Sequence, residues 1–177
     1  MAWRIIPVND FDIKIFDAWD KRWFALTAGD FRQQHYNTMT VAWGSLGIMW
    51  NKPFAQVVVR PTRYTFEFME QYDSFTLCAF DRRFRSALQL LGSRSGRDSD
   101  KIAESGLTLI PSQRIAAPAF AEADIIIECV KMYWQDFDPS HFLDPDIEKT
   151  YRLRDYHRIY FGRILTIQCR DDSQPNK

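Results

Sequence analysis

The chain has 177 residues, with 23 Lys plus Arg balanced by 23 Asp plus Glu, so its formal net charge at pH 7 is zero. Without a net field there is no reason to expect nucleic acid or an anionic membrane as a partner. A chain of this length typically forms one domain, and we take 1–177 as that single domain. Enough apolar surface can be buried for a core without metals or disulfides.

The three cysteines, Cys78, Cys129 and Cys169, follow no CxxC or Cys/His ligand spacing. We expect reduced thiols, with Cys78 and Cys129 buried in strands, and no metal site. The start "MAWRIIPVNDFDIKIF" lacks the pattern of a signal peptide, and no apolar run reaches about 18 residues. These features predict a cytoplasmic protein.

Most of the secondary-structure signal along the chain is that of strands. Alternating or β-branched runs predict strands over 23–29, 37–43, 54–60, 74–80, 123–134 and 156–169. Gly162 inside the last run suggests a bulge or bend. The polar tail 170–177 is predicted to be disordered.

Helical periodicity appears between these strands. It predicts helices over 65–72 with Thr65 as N-cap, 81–92, 98–106 and 144–151. The order lacks regular βαβ alternation, so a doubly wound sheet is disfavoured. The fold class expected is mainly β, a small antiparallel barrel with helices packed against it.

The best candidate for an anion site is "VVVRPTRYTFEF", where a strand ends at Arg60 and a helix begins near Thr65. Unpaired N–H groups at a helix start attract phosphate, and Arg63 adds a charged contact. The alternative is an N-cap beside a surface arginine, which the sequence alone favours.

A second candidate is the loop "GSRSGRDSDK", residues 92–101. It lacks the GK[ST] ending of a triphosphate-binding loop. Ser93, Ser95, Gly96 and Lys101 are still of the types that contact a phosphate. The alternative is a flexible turn.

Side-chain constellations for hydrolysis are absent from the sequence. His35, His141 and His157 have no neighbouring nucleophile, and neither GxSxG nor HExxH occurs. Any chemistry is therefore expected to come from a cofactor.

Several segments together resemble the flavin reductase-like family of FMN-binding split barrels, which includes flavoredoxin and ferric reductase relatives. The resemblance covers most of 20–168, with its most specific part from Asn37 to Thr65. The segments that carry it are "WFALTAGD", "YNTMTVAWGSLGIMWNKPFAQVVVRPTRYTFEF", "SFTLCAF", "GSRSGRDSDK" and "DYHRIYFGRI".

The resemblance implies an antiparallel Greek-key split barrel that forms homodimers, with FMN held non-covalently near the subunit interface. In the strand 37–43, one face carries Thr38, Thr40 and Ala42. That small, hydroxyl-bearing face would leave room for the flat ring. The opposite face would fill the barrel with Met39, Val41 and Trp43.

The resemblance also implies which residues border the cofactor. The ring and ribityl chain would meet Tyr36, Asn37, Thr38, Met39 and Thr40. The phosphate side would hold Arg60, Arg63 and Thr65, with Ser95 and Lys101 from the later loop. Following Asp155 by two positions, His157 would lie on the nicotinamide side; its alternative is a strand histidine bonded to backbone.

Three functions remain open at this point. The first is an NAD(P)H-dependent flavin or small-acceptor reductase using FMN. The second is a flavoredoxin-like carrier that exchanges electrons with protein partners, and the third is a similar barrel for pyridoxamine phosphate or haem. No Rossmann fingerprint is present, so a nicotinamide would stack on the flavin in an open cleft.

Overall fold

The computed structural model describes residues 3–170, which contain ten strands. The strands are β1 Trp3–Ile5, β2 Phe24–Asp30, β3 His35–Val41, β4 Gly44–Met49, β5 Lys52–Val59, β6 Ser74–Ala79, β7 Leu109–Ile110, β8 Ala119–Phe120, β9 Ile125–Asp136 and β10 Arg158–Arg170.

Helices lie between these strands and at the start of the chain. They are α1 Ile15–Asp17, which continues into a π-helical turn Ala18–Arg22, α2 Tyr64–Gln71, α3 Arg85–Ser93, α4 Lys101–Ser105 and α5 Pro145–Glu148. Short 3₁₀ turns cover Val8–Asp10, Arg82–Phe84 and Pro139–His141. No helix within 3–170 is long and apolar enough to cross a bilayer.

The main sheet is antiparallel throughout, in the order β3-β2-β6-β9-β10-β5-β4, with β1 added to the far end of β10. Although β3 and β4 are consecutive in the chain, they occupy opposite edges of this order. Only Ala42 and Trp43 join them, so the two edges lie within about 11 Å of each other. The sheet therefore closes into a barrel whose wall is split between β3 and β4, and we call residues 41–44 the seam.

Alternating side chains of the barrel strands fill two apolar layers. From β2, Phe24, Leu26 and Ala28 enter the barrel interior, while Ala25 faces the opposite way. Outside the wall, Ala25 meets Leu88 and other residues of α3 and β8. Burial of both layers fixes the register of the sheet, because a one-residue slip would exchange them.

The expected fold class is confirmed, and each predicted strand is found with its ends moved by one or two residues. Buried Cys78 and Cys129, both unpaired, are confirmed, as is a register irregularity beside Gly162. Strand β4 was not predicted, because its residues are small or exposed on both sides. Thr65 as N-cap was wrong: Arg63 holds that position, without a capping side chain.

The expectation that the face of β3 with Thr38, Thr40 and Ala42 is open to a ligand was also wrong. Helix α3 packs on it, and the Thr40 hydroxyl donates to the Leu88 carbonyl at 2.5 Å. Thr38 is fully buried, with hydroxyl contacts to Thr27 and Leu26. Met39 and Val41 do fill the barrel, whereas Trp43 lies in the seam and is 50% exposed. Strand alternation separates two faces but does not reveal which one a later helix will cover.

The disorder expected for the tail lies outside the described residues from position 171 onward. Arg170, its first residue, is the last residue of β10 and contacts the carbonyl of Ala123.

Candidate functional site

Two cations that lack carboxylate partners lie beside the start of α2, and we call Arg63 and Lys101 the cation pair. Neither forms an ion pair with any residue of the described range 3–170. Arg63 donates to the carbonyl of Gly92, and Lys101 donates to the carbonyls of Leu91 and Arg94 at 2.9 and 3.0 Å. Carbonyls orient both cations without neutralising them.

The surroundings of Lys101 make its charge costly. Its side chain is only 3% exposed, and burial together with the nearby Arg63 lowers its pKa to about 8. Burial and Arg60 likewise lower the pKa of Arg63. A bound anion would relieve the repulsion within the cation pair, so the pair favours anionic ligands.

The start of α2 adds neutral donors next to this pair. No side chain caps this helix. The N–H of Phe66 donates to the Arg63 carbonyl at 2.9 Å, so the N–H groups of Tyr64 and Thr65 are the ones left at the positive end of the helix dipole. Buried Asn37 donates to the Thr65 hydroxyl at 2.8 Å, which ties β3 to this turn. A Cβ on Gly96 would lie 2.3 Å from the Asn37 side-chain oxygen, so glycine lets the 92–101 loop close over Asn37.

The rest of the 92–101 loop is held by Arg97. Its guanidinium pairs with Glu67 at 2.5 Å and lies 4.8 Å above the centre of the Tyr64 ring. Its backbone N–H donates to the Ser95 hydroxyl at 3.2 Å. The loop therefore folds back onto α2, with Ser95 half-buried at the bend.

A second group of side chains lies at the seam, and we call Trp43, Arg60, Tyr151, Asp155 and His157 the seam cluster. Arg60 pairs with Asp155 at 2.7 Å and lies 4.9 Å above the Tyr151 ring. The Tyr151 hydroxyl is 2.8 Å from His157 Nδ1, and the Trp43 and His157 rings are 5.2 Å apart. Charges here are already paired.

Burial, with Arg60 nearby, lowers the pKa of His157 to about 4, against a smaller opposing effect of Asp155. The imidazole is therefore neutral at pH 7. Burial also raises the pKa of Tyr151, so its hydroxyl keeps its proton. If that hydroxyl donates to Nδ1, the ring proton is on Nε2, and His157 then offers a neutral N–H donor at the seam.

The structure brings Asn37, Thr65, Ser95 and the cation pair to one end of β3. Arg60 and His157 belong instead to the seam cluster, where Arg60 is bound to Asp155 rather than free for a phosphate. The Nδ1 of His157 meets a tyrosine side chain rather than a backbone group. Tyr36 lines the pocket beyond Asn37.

Sequence reasoning missed Tyr151 and the exposed position of Trp43. Tyr151 had no local signal, because it reaches His157 only through the fold of 137–157. For Trp43 there was a local signal. The small residues Gly44 and Ser45 follow it directly, whereas a continuation of β3 would carry larger side chains there.

The antiparallel split barrel, with an uncapped helix start and a cation pair beside β3, places the chain in the class of small split β-barrels. The flavin reductase like domain model matches residues 24–176. The chain belongs to the flavin reductase-like family.

Solved structures share the fold at low sequence identity. The FMN-binding domain of a flavin reductases-like enzyme from Shewanella baltica has a TM-score of 0.68 and 17% identity, covering 95% of this chain and 77% of that one. Flavoredoxin of Desulfovibrio vulgaris has a TM-score of 0.66 and 21% identity, covering 93% and 80%. The NADH:FAD oxidoreductase of Streptomyces globisporus has a TM-score of 0.63 and 13% identity, covering 84% and 75%. At these low sequence identities, the structural similarity shows a shared fold alone.

Proposed function

We propose that this protein binds FMN non-covalently and works as an NAD(P)H-dependent oxidoreductase that reduces flavin or another small acceptor. The observation that carries the proposal is the cation pair, in which Arg63 and buried Lys101 repel one another and have no carboxylate partner within 3–170. A phosphate supplies the missing negative charge and accepts from both cations.

The residues that hold the phosphate end follow from the same geometry. The uncapped first turn of α2 donates backbone N–H groups, and Ser95 lies in the loop that closes over Asn37. Asn37 and Thr65 position each other through their side-chain hydrogen bond. Thr38, Met39 and Thr40 border the ribityl chain and ring through the backbone of β3, since their side chains already pack elsewhere. Tyr36, beyond Asn37, borders the phosphate end of the ligand.

The flavin ring would lie toward the seam, at the Val41 end of β3. A bound flavin supplies hydride and one-electron chemistry at its ring, so the protein needs no nucleophile. Nδ1 of His157 is engaged by Tyr151, so Nε2 is the ring nitrogen left for a ligand there, and the half-exposed Trp43 ring lies 5.2 Å from the imidazole. We assign His157 to the nicotinamide side of the site.

An electron carrier is the second candidate, favoured by one observation. Large apolar side chains are exposed on one surface of the barrel, and a carrier uses such a surface to meet protein partners. They are Trp50 and Tyr133, whose ring centres are 6.0 Å apart, with Phe161 packed against both. In the oxidoreductase proposal, a second copy of the chain covers this surface in a homodimer, which light scattering of the purified protein tests.

The three buried, unpaired cysteines suit a reducing compartment, and we place the protein in the cytoplasm. Imaging of the tagged protein tests this.

The first experiment titrates the purified protein with FMN while flavin fluorescence is recorded. Saturable binding is expected, and a protein that leaves the fluorescence of FMN unchanged contradicts the proposal. Arg63→Ala is expected to weaken FMN about 10- to 100-fold, because a charge-assisted contact contributes about 1.5–3 kcal/mol, and riboflavin much less. Equal losses for FMN and riboflavin would remove Arg63 from the phosphate site; exposed Arg83→Ala is the matched control.

The second experiment separates enzyme from carrier. Anaerobic stopped-flow mixing of the FMN-loaded protein with NADH or NADPH is expected to bleach the flavin at a rate suited to turnover. Absence of bleaching with both nucleotides, together with reduction by a protein donor, would establish the carrier instead.

A further inference from the structure

The turn between β2 and β3 and the loop between β7 and β8 enclose a pocket that shares no residue with the proposed flavin site. Its volume is about 390 Å³, within the range of about 300–1,000 Å³ typical of small-molecule sites. Asp30, Phe31 and Arg32 line it from the turn, and residues 111–116 line it from the loop. The pocket is therefore a separate candidate site.

The loop between β7 and β8 is held by a buried carboxylate. Glu128 of β9 is fully buried, and its two oxygens accept from the backbone N–H groups of Gln113 and Arg114 at 2.9 and 2.8 Å. The Gln168 side chain donates to the same carboxylate at 2.9 Å. A buried charge that loses such partners is strongly destabilising, so the loop backbone is fixed at Arg114.

The turn on the other side of the pocket is fixed in a similar way. The Asp30 carboxylate accepts from the backbone N–H groups of Arg32 and Gln33 at 2.8 and 3.1 Å. The N–H of Phe31 donates to the Ala116 carbonyl at 2.9 Å, which joins the turn to the loop. Both sides of the pocket are therefore held by backbone hydrogen bonds, and a ligand would meet a preorganised site.

Each side of the pocket carries one arginine whose guanidinium is unengaged. The side chains of Arg32 and Arg114 form no hydrogen bond, ion pair or ring contact with any residue of 3–170. Two arginines against the Asp30 carboxylate leave the lining with one net positive charge. Because guanidinium groups bind phosphate and carboxylate oxygens through paired N–H donors, the pocket favours an oxyanion.

The pocket also has an apolar part. The half-buried side chains of Phe31 and Ile115 belong to its lining. The Phe31 ring stacks on the Tyr36 ring, with centres 6.4 Å apart, which limits its movement. Since the volume exceeds what inorganic phosphate fills, the pocket suits an oxyanion that carries an organic group.

We propose that this pocket binds a small phosphate monoester, whose phosphate accepts from Arg32 and Arg114 and whose organic group packs against Phe31 and Ile115. A phosphate monoester carries a charge of about −1.5 to −2 at pH 7 and three acceptor oxygens, so it can engage both guanidinium groups. A carboxylate, with one charge and two oxygens, matches one of them. The inference does not depend on flavin binding.

Isothermal titration calorimetry of the full chain with phenyl phosphate tests the proposal, because this probe has both the phosphate and an apolar ring. Saturable binding is expected, at least about fivefold tighter than that of inorganic phosphate or of benzoate. Absence of saturable binding overturns the inference. Inorganic phosphate or benzoate binding as tightly as phenyl phosphate also overturns it.

The double variant Arg32→Gln with Arg114→Gln locates the phosphate. Because neither guanidinium contacts the described chain, the urea midpoint is expected to stay unchanged while the affinity for phenyl phosphate falls at least about tenfold. The matched control, Arg83→Gln with Arg152→Gln, removes two exposed arginines elsewhere and is expected to change the affinity less than about twofold. Equal losses in the two double variants would reduce the effect to net charge and overturn the site.

Arg63→Ala separates this pocket from the cation pair, where a phosphate is also expected. Phenyl phosphate binding that survives in Arg63→Ala and is lost in the Arg32 and Arg114 double variant belongs to this pocket. The reverse pattern assigns the binding to the cation pair and overturns the inference. Failure of FMN to bind, by contrast, overturns the proposed function and leaves this result as it stands.

Discussion

The two ends of β3 treat charge in opposite ways. At the α2 end, Arg63 and Lys101 are oriented by carbonyls and left without carboxylates among residues 3–170. At the seam, Arg60 is paired with Asp155, and His157 is neutral. One end therefore keeps positive charge without a carboxylate, and the other end compensates it, a contrast that suits the proposed ligand with a phosphate at one end and a ring at the other.

The test with the largest expected effect is the loss of stability in acid that follows protonation of His157. Its pKa is about 4 in the folded state and about 6.5 when unfolded, so between these values the unfolded chain binds more protons. The contribution of neutral His157 to the free energy of unfolding is therefore fully present above pH 6.5. It falls by about 2–3 kcal/mol as the pH is lowered toward 4.

Urea unfolding at several pH values measures this loss. His157→Gln is the control, because it lacks the titrating ring while Asp155, Arg60 and Tyr151 remain. The variant is expected to show a shallower decline between pH 6.5 and 4. Identical slopes in the two proteins would mean that His157 is not held neutral by the seam.

A second test concerns the packing beneath the seam. A Cβ on Gly44 would lie 2.3 Å from a Trp19 ring carbon and 2.4 Å from the Gln56 carbonyl oxygen. Gly44→Ala is therefore expected to cost about 1–3 kcal/mol of unfolding free energy. Gly47→Ala, whose Cβ would meet only the Phe54 ring at 3.1 Å, is the matched control with a smaller cost. Equal urea midpoints for the two variants would show that Trp19 does not fix the seam.

The third test concerns the charge of Lys101 at the α2 end of β3. Because the pKa of Lys101 is about 8, its ammonium charge is present at pH 7 and mostly lost at pH 9. The FMN association constant is expected to fall up to about tenfold over that range, which corresponds to about 1.4 kcal/mol, while riboflavin binding stays flat. Lys101→Arg keeps its charge and should remove the pH dependence. A slope that survives in this variant would assign it to another group.

The sequence predicted the barrel because the signals for its strands are local. The composition of the run 74–80 by itself predicts β6. The helix start near residue 65 was predicted from the polar residues that follow a strand. The contacts that distinguish the two ends are not local. Arg60 and Asp155 are 95 positions apart, and nothing in either neighbourhood says that they pair.

The same limit explains the misplaced face of β3. Alternation gave the correct pairing of Met39 with Val41 inside the barrel, but the cover over Thr40 comes from Leu88, 48 residues later. The resemblance assigned Lys101 to the phosphate side, which stays a prediction, whereas its burial follows from α4 packing against α3. A sequence therefore indicates which groups a site contains sooner than it indicates which of them are already engaged.

The smallest test asks whether Tyr151 holds His157 in one tautomer. Tyr151→Phe removes the hydroxyl 2.8 Å from Nδ1 and leaves that nitrogen buried without its partner, at a cost of about 1 kcal/mol. Loss of a hydrogen bond to the neutral ring is also expected to raise the pKa of His157, which NMR titration of the imidazole measures. Tyr156→Phe, which removes only an exposed contact to Glu148, should leave that pKa unchanged. If the two variants titrate alike, the orientation of His157 comes from Trp43 and the barrel wall, and the neutral donor at the seam does not depend on Tyr151.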